Sequence, residues 1–420
     1  MEVKPGYKQT DVGVIPEEWE VMPFIRAVGL YIDYRGRTPR KLGLSWGDGD
    51  ILALSANNVQ MGRIDPDKEA YLGSEKLYRK WMVQGECEPG DVLLTMEAPL
   101  GNVAQIPDSK KYILSQRVLL IRPKAWLHRG FLAHYMKGFF FQQQLSLNST
   151  GSTAKGIQRR KLDNLPIGLP RAKAEQEAIA KALSDADALV ESMELMLAKK
   201  RWLKQGATQE LLAGKKRLPG FSGEWETKLL GDCFALVSTR NAELNDNVVT
   251  ISAQQGLVRQ EEFFKKRVAS LVLENYYLIE RGHFAYNRSY SNGYPYGAIK
   301  RLRRYDKGVV TTLYICFSLK PEAASDPTFF EHYFEAGLLN SGLSTVTNEG
   351  GRAHGLLNIT KADFLSREIR RPPLVEQTAI ATILSDMDAE IAALEAKVVK
   401  ARQLKQGMMQ ELLTGRIRLI

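Results

Sequence analysis

The chain has 420 residues, which is too long for one ordinary domain and predicts two or three. Its content of 44% hydrophobic and 9% aromatic residues is enough for packed cores and excludes disorder along the whole chain. The formal net charge of +10 favours a polyanionic partner, and no apolar stretch approaches the roughly 18 residues of a membrane span.

The start of the chain and its cysteines indicate a cytoplasmic protein. Residues 1–6 lack the apolar core of a signal peptide. Cys87, Cys233 and Cys316 are far apart and show no CxxC spacing. They indicate reduced thiols, neither a disulfide framework nor a metal site, so we predict a chain that binds no metal.

A mixed α+β segment comes first. Short apolar runs at residues 51–54, 92–95 and 113–121 predict strands, and residues 131–147 predict a helix. The second half of the chain has a comparable segment, with predicted strands at residues 248–251 and 309–315 and a helix at residues 328–339.

A long helix is predicted after each of these segments, and the two helices are repeats. Residues 175–218 align without gaps with residues 376–419, and about half of the positions are identical. Apolar residues recur at alternating spacings of four and three, which is typical of a coiled-coil seam. The seam residues are Ile179, Leu183, Val190, Met193 and Leu197 in the first copy, and Ile380, Leu384, Ile391, Leu394 and Val398 in the second. The alternative is two separate amphipathic helices, each packed on its own domain.

Charge predicts how the two helices pair. Each begins acidic and ends basic, so antiparallel pairing sets every acidic half against a basic half. Each exposed ion pair stabilises the helix pair by only a few tenths of a kcal/mol, so the charge pattern selects the orientation more than it stabilises the pair. Gly206 and Gly407 lie inside the helices at a cost of about 1 kcal/mol each relative to alanine, which suggests close backbone approach or a hinge. Simple tolerance is the alternative.

Motifs for catalysis on DNA are missing from the sequence. There is no Asp/Asn-Pro-Pro-aromatic loop of adenine methyltransferases, no GxxxxGK[ST] phosphate loop and no nucleophile elbow. We therefore predict a binding protein with no catalytic residue and no cofactor of its own. Two alternatives stay open: a self-sufficient DNA methyltransferase or endonuclease with degenerate motifs, and a coiled-coil scaffold protein whose charge serves solubility.

The sequence resembles the specificity subunits of type I restriction–modification systems over nearly its whole length. The resemblance is carried by YKQTDVGVIP at residues 7–16, EWE at residues 18–20, and the repeated Glu-Gln, Leu-Ser-Asp, Leu-Lys-Gln-Gly and Glu-Leu-Leu units of the two helices. It implies an α+β fold in which two target-recognition domains are separated by two long antiparallel helices that form a coiled coil. We place the recognition domains at residues 1–170 and 217–372, and the helices at residues 171–216 and 373–420.

The same resemblance implies a sequence-specific DNA-binding function and a set of partners. Each domain would read one half of a bipartite, asymmetric site in double-stranded DNA, and the helices would set the spacing and dock two modification (methyltransferase) subunits. Restriction (motor-nuclease) subunits would complete the complex. S-adenosylmethionine and ATP with Mg²⁺ would then belong to those partners.

Candidate DNA-binding residues in the first domain lie near predicted turns and before the exit helix. They are Arg35, Arg37, Asn57, Asn58, Gln60, Arg63, Met96, Glu97, Ser152, Thr153, Lys155, Arg159 and Arg160. Asparagine can pair with adenine and arginine with guanine, whereas the other basic residues suit phosphates. Met96 and Glu97 resemble a family loop near DNA. An ordinary turn at Asn57 and Asn58, and a solvated loop at residues 35–41, are the alternatives.

The second domain has its richest candidates in an aromatic segment, residues 286–296. Tyrosines interleaved with asparagine and arginine can stack or form hydrogen bonds in a DNA groove, and packed hairpin aromatics are the alternative. The candidates are Gln254, Gln255, Asn287, Arg288, Tyr290, Asn292, Tyr294, Arg352 and His354.

Overall fold

The computed structural model describes residues 4–152, 154–252, 254–264, 272–291, 293–346 and 357–419. The chain divides into two units. The first comprises Met1–Glu194 and Ala396–Ile420, and the second comprises Leu195–Glu395. Both units mix helices with sheets, so the α+β prediction is confirmed. The assignment of residues 1–170 and 217–372 as target-recognition domains stays a prediction.

The first unit is built on a four-stranded antiparallel sheet in the order β10-β9-β12-β4. The strands are β1 (Tyr7–Thr10), β2 (Gly13–Pro16), β3 (Trp19–Pro23), β4 (Val28–Asp33), β5 (Ile51–Leu54), β6 (Val59–Gln60), β7 (Arg63–Ile64), β8 (Leu72–Gly73), β9 (Val92–Met96), β10 (Leu100–Gln105), β11 (Ile113–Leu114), β12 (Val118–Pro123) and β13 (Pro166–Pro170). The helices are α1 (Phe24–Ala27), α2 (Glu75–Trp81), α3 (Arg129–Lys137), α4 (Phe139–Leu147), α5 (Arg159–Asp163) and the long α6 (Lys173–Leu211), with a 3-10 turn at Pro39–Leu42.

The central strand β9 is buried at every position because both faces of the sheet are covered. Side chains of a strand alternate between faces. Leu94 accordingly joins a core with Phe131 of α3, and Leu93 joins a second core with Trp81 of α2. One packed core lies on each face of the sheet, so the ends of its strands, and the loops that follow them, have fixed positions.

The second unit repeats this sheet, in the order β20-β19-β22-β15. Its strands are β14 (Glu226–Leu229), β15 (Phe234–Leu236), β16 (Val249–Ser252), β17 (Gly256–Arg259), β18 (Tyr277–Glu280), β19 (Phe284–Asn287), β20 (Ala298–Arg301), β21 (Lys307–Val310), β22 (Ile315–Leu319) and β23 (Glu368–Arg371). Its helices are α7 (Leu230–Cys233), α8 (Gln260–Phe264), α9 (Pro327–Glu335), α10 (Asn340–Ser344), α11 (Lys361–Leu365) and the long α12 (Leu374–Leu412), with a 3-10 turn at Pro321–Ala323.

Three predicted elements are interrupted. The strand predicted at residues 113–121 divides into β11 and β12 because Arg117 has a left-handed backbone (φ +70°) that turns the chain into a different sheet. The strand predicted at residues 309–315 divides into β21 and β22 at a turn that is closed by a hydrogen bond from the Tyr314 N–H to the Thr311 carbonyl (3.1 Å). The helix predicted at residues 131–147 breaks at Gly138, whose ψ of 152° is extended.

The long helices pair antiparallel within each unit, as predicted from their charge. In the first unit the end of α12 meets the start of α6, where Arg402 lies 2.6 Å from Glu194. In the second unit the end of α6 meets the start of α12, where Arg201 lies 2.6 Å from Glu395 and Lys204 pairs with Asp388. Within the described ranges, no helix carries an apolar run long enough to cross a lipid bilayer.

The predicted seam residues lie on the inner side of these helices. Ile179, Leu183, Ile380, Leu384 and Val398 are buried, and Val190, Met193, Leu197, Ile391 and Leu394 are half-buried. Gly206 and Gly407 have no heavy atom within 4 Å of the place a Cβ would occupy, and both helices continue through them. The suggestion of close backbone approach is therefore wrong, whereas a hinge stays a prediction with simple tolerance as its alternative.

A buried histidine lies where α3 packs on α6. The Nε2 atom of His134 is 3.0 Å from the Oγ atom of Ser184, and the ring is 2% exposed. Burial, followed by the nearby Lys137 ammonium, lowers the pKa of His134 from 6.5 to about 3.

Acidification is expected to weaken the first unit. Between pH 6.5 and about 3 the unfolded chain binds a proton on His134 that the folded chain does not, so the free energy of unfolding falls as pH falls. The slope from this residue is up to about 1.4 kcal/mol per pH unit. Urea unfolding at pH 7, 6 and 5 checks this, with the variant His134→Gln as reference. An identical pH slope in both proteins would contradict the assignment.

Candidate nucleic-acid interface

A turn after β5 contributes the first candidate residues. The Nδ2 atom of Asn58 donates to the Ala53 carbonyl (2.7 Å), and its Oδ1 atom accepts from the Ser55 N–H (2.8 Å). Asn58 is fully buried, so its prediction as a DNA contact is wrong, because its amide shapes the turn. Asn57 is exposed and its side chain donates to Glu69.

The turn is connected to the hairpin between β9 and β10. Asn102 joins them, since its Nδ2 atom donates to the Val59 carbonyl (2.9 Å) and its N–H donates to the Thr95 hydroxyl (2.9 Å). Met96 is 1% exposed, so its prediction as a DNA contact is also wrong. Glu97 follows it at the tip and is exposed, with its Oε1 atom 3.4 Å from the Nε atom of Arg117.

The segment before α5 completes this edge of the first domain. Glu97 forms an antiparallel bridge with Gly156, and the N–H of Ile157 donates to the Met96 carbonyl (3.1 Å). Ser152 and Lys155 on this segment are exposed. Side chains from three separate stretches of sequence thus lie along one edge, which we call the first edge: Asn57, Gln60, Arg63, Glu97, Ser152 and Lys155.

Three of the remaining basic candidates interact with other side chains or with the backbone, and two are exposed. Arg35 is paired with Asp33 (2.6 Å). Arg37 donates to the Lys80 carbonyl (2.8 Å) and lies over the Tyr34 ring. Arg159 stacks on Tyr31, with 3.1 Å from its guanidinium carbon to the ring centroid. Arg160 and Lys155 are exposed, and neither has a carboxylate partner among the residues that the structure describes.

In the second unit Arg288 has a structural position. The guanidinium of Arg288 donates to the carbonyls of Ile359 (2.6 Å) and Leu313 (3.0 Å). The carbonyl of Arg288 accepts from the N–H of Leu357 (3.0 Å). The bonds to Leu357 and Ile359 connect the end of β19 with the segment before α11. In the first unit the hydrogen bond between Ile157 and Met96 connects the end of β9 with the segment before α5 in the same way. Asn287 accepts from the Ser289 N–H (3.1 Å) and shapes the next turn.

Four other candidates of this unit differ in how far they are open to a partner. Gln254 and Gln255 are exposed after β16. Tyr290 is 62% exposed, so its ring is free to stack. The phenol of Tyr294 donates to Glu335 and accepts from Lys300 (3.1 Å), in agreement with the packed-aromatic alternative for that ring. Thr153, Asn292, Arg352 and His354 lie outside the described residues.

Two residues that support the first edge were not predicted from the sequence. Asn102 joins the turn to the hairpin, and Arg117 provides the cation beside Glu97. Asn102 lies in a stretch with no turn motif, and nothing in the sequence spacing pairs Arg117 with Glu97. Their positions follow from the pairing of β9 with β10 and β12, which brings distant residues together.

Comparison with known proteins shows what this chain is similar to. Residues 16–199 match the family described as type I restriction modification DNA specificity domain. Over this part the chain is similar to one class of proteins, the specificity subunits of type I restriction enzymes, in agreement with the resemblance of the sequence motifs.

Relatives and solved structures agree with that class. The chain is 27% identical over 223 residues to the specificity subunit of the type I restriction enzyme MjaVIII from Methanocaldococcus jannaschii, a match that covers 51% of this chain and 50% of that subunit. A second protein of that organism, assigned as the MjaX specificity subunit, is 24% identical over 98% of this chain and 97% of its own length. The crystal structure of the type I S subunit from M. genitalium has the same fold, with a TM-score of 0.59, 12% identity and 98% coverage of both chains.

Proposed function

We propose that this chain is the DNA-recognition subunit of a type I restriction–modification complex, and that each domain reads one half of a bipartite DNA site. The observation that carries the proposal is the repeated sheet with unlike residues at equivalent places. Exposed Glu97 follows β9 in the first unit, whereas Arg288 and exposed Tyr290 follow the equivalent strand β19 in the second. Because side chains of different kinds recognise different base edges, the two half-sites are expected to differ.

The long helices support a gap of constant length between the half-sites. Each has 39 residues, which corresponds to a length of about 58 Å at 1.5 Å per residue. About ten base pairs span 34 Å, so helices of this length suit a site whose specified bases are separated rather than adjacent. Ion pairs between the helices within each unit oppose sliding along this spacer.

Exposed apolar side chains on the helices support docking of two modification subunits. On α6 these are Leu195, Met196 and Trp202, the last 71% exposed, and on α12 they are Val399 and Leu404. Water-exposed apolar groups grouped on one helix are typical of protein interaction sites. S-adenosylmethionine would then be bound by the modification subunits, and ATP with Mg²⁺ by the restriction subunits, with no catalytic residue in this chain.

Selection from a randomised duplex DNA library by the purified full chain tests the proposal. The expected result is a motif of two specified parts separated by a fixed number of unspecified base pairs. Binding weakens as salt is raised, because phosphate contacts release counterions. A short uninterrupted motif would contradict the bipartite reading, and methyl transfer by the chain alone would contradict a purely recognising role.

A further inference from the structure

Two polar contacts join the domain helix α3 to the long helix α6, in addition to a shared apolar core that includes Phe131 of α3 and Ile179 and Leu183 of α6. At its start, Gln176 accepts from the His128 N–H (2.8 Å) and donates to the Pro170 carbonyl (2.8 Å). Six residues further along α3, His134 meets Ser184 at 3.0 Å. Gln176 and the His134 ring are both buried, whereas Ser184 is exposed. The bonds of Gln176 are therefore shielded from water, and the histidine–serine contact lies at the margin of the interface.

The second unit contains the same arrangement between α9 and α12. Gln377 accepts from the Asp326 N–H (2.9 Å) and donates to the Pro372 carbonyl (2.8 Å). His332 lies 3.1 Å from Ser385, again six residues into the domain helix and eight residues beyond the glutamine. The two domain helices read RGFLAHYMK and PTFFEHYFE and, besides the histidine, share only a phenylalanine and a tyrosine.

Charged residues adjoin the second point of each joint. In the first unit Asp187 pairs with Lys137 (3.1 Å) and with Lys405 of the other long helix. In the second unit Asp388 pairs with Lys204. Each joint therefore connects one domain helix to both long helices of its unit.

Apolar packing holds the two helices together but is not directional, whereas two polar contacts define the direction of one helix on the other. Eight residues along α6 correspond to about 12 Å between Gln176 and Ser184. Loss of the contact between Ser184 and His134 removes one of the two polar contacts and keeps that of Gln176. A domain released in this way would keep its own DNA-reading edge while its direction on the spacer became less defined.

The grouping of serine, histidine and aspartate does not have the geometry of a hydrolytic triad. The Nδ1 atom of His134 is 3.9 Å from Asp187, beyond hydrogen-bond distance. A catalytic base operates with a pKa near the ambient pH, whereas burial lowers that of His134 to about 3. The contact thus holds the two helices together and does not activate the serine.

We propose that these two joints orient the DNA-reading domains on the helical spacer, and that His134, Ser184, His332 and Ser385 are positioning residues that determine which gap length the chain accepts. The inference rests on the proposed function. None of these four side chains is required to touch DNA.

Ser184→Ala and Ser385→Ala, together and singly, test the inference in the randomised-duplex selection with the full chain. The wild-type chain is expected to select one gap length. The variants are expected to select the same two half-sites with gaps one base pair shorter and longer as well, and to lose about fivefold in discrimination, as for loss of one part-buried hydrogen bond. Ser184→Thr keeps the hydroxyl and should restore the single gap length.

His283→Gln provides a matched control. His283 is half-buried in the second unit and accepts from the Glu280 N–H, within a turn before β19. It should leave the gap length unchanged. The inference would be overturned if the serine variants selected a single gap length with the same discrimination as the wild-type chain. It would also be overturned if they no longer selected one of the two half-sites while the preferred gap length stayed the same. Absence of any two-part motif for the wild-type chain would instead refute the proposed function.

Discussion

Replacing Arg418 by methionine is expected to destabilise the first unit by about 3 kcal/mol. Glu175, at the start of α6, is 4% exposed, and both of its carboxylate oxygens accept hydrogen bonds from the Arg418 guanidinium. Without the arginine this carboxylate is buried and unpaired. The effect lies at the lower end for buried pairs because 21% of the Arg418 side chain is exposed.

Amide hydrogen exchange followed by mass spectrometry localises the effect to one unit. Exchange should rise in peptides from the start of α6 and from β3, and should not change around Arg217 and Glu376, the equivalent pair of the second unit. Arg416→Met is the matched control, since Arg416 pairs with Glu411 at the surface and an exposed pair contributes at most about 1 kcal/mol. Equal exchange in the Arg418 and Arg416 variants would contradict the prediction. The double variant Arg418→Met/Glu175→Gln should recover much of the loss.

Removing the free cations beside the first edge is expected to weaken DNA binding strongly. Lys155→Gln/Arg160→Gln eliminates two exposed cations near α5. If each contacts one phosphate, the slope of log affinity against log salt becomes less steep by about 1.8, because each contact contributes about 0.9. At 0.1 M salt that difference corresponds to an affinity loss of about 60-fold, spread evenly over DNA sequences.

Fluorescence anisotropy of a labelled duplex over a salt series measures both quantities. Arg79→Gln/Lys110→Gln removes the same charge from the same unit at residues that are paired with Glu75 and Asp108. This control should lose less than about threefold in affinity, since these cations already have partners. Indistinguishable slopes for the two double variants would place the phosphate contacts elsewhere on the surface.

The long helices could be predicted from the sequence because the information is local. Seam spacing and the acidic-to-basic gradient are visible within one stretch of chain, and the ion pair of Arg402 with Glu194 follows directly from the gradient. The repeated Glu-Gln and Ser-Asp units were equally visible. Their contacts were not, because His134 and His332 lie 50 and 53 residues from the serines that they meet.

Candidate DNA contacts were harder to predict because side-chain exposure depends on tertiary packing. Asn57 and Asn58 are neighbours of the same type, yet one is exposed and the other forms the buried support of the turn. Arg288 is of a residue type that recognises bases, but its guanidinium already donates hydrogen bonds to two backbone carbonyls. Residue type alone gives no indication of which of these situations applies.

Mapping of methylated adenines in the genome of the source organism, with and without this gene, tests the central claim most directly. The account predicts a two-part motif with a constant unspecified gap, methylated when the gene is present and unmethylated when it is deleted. Methylation that is unchanged by the deletion, or a lost motif that is short and uninterrupted, would contradict it.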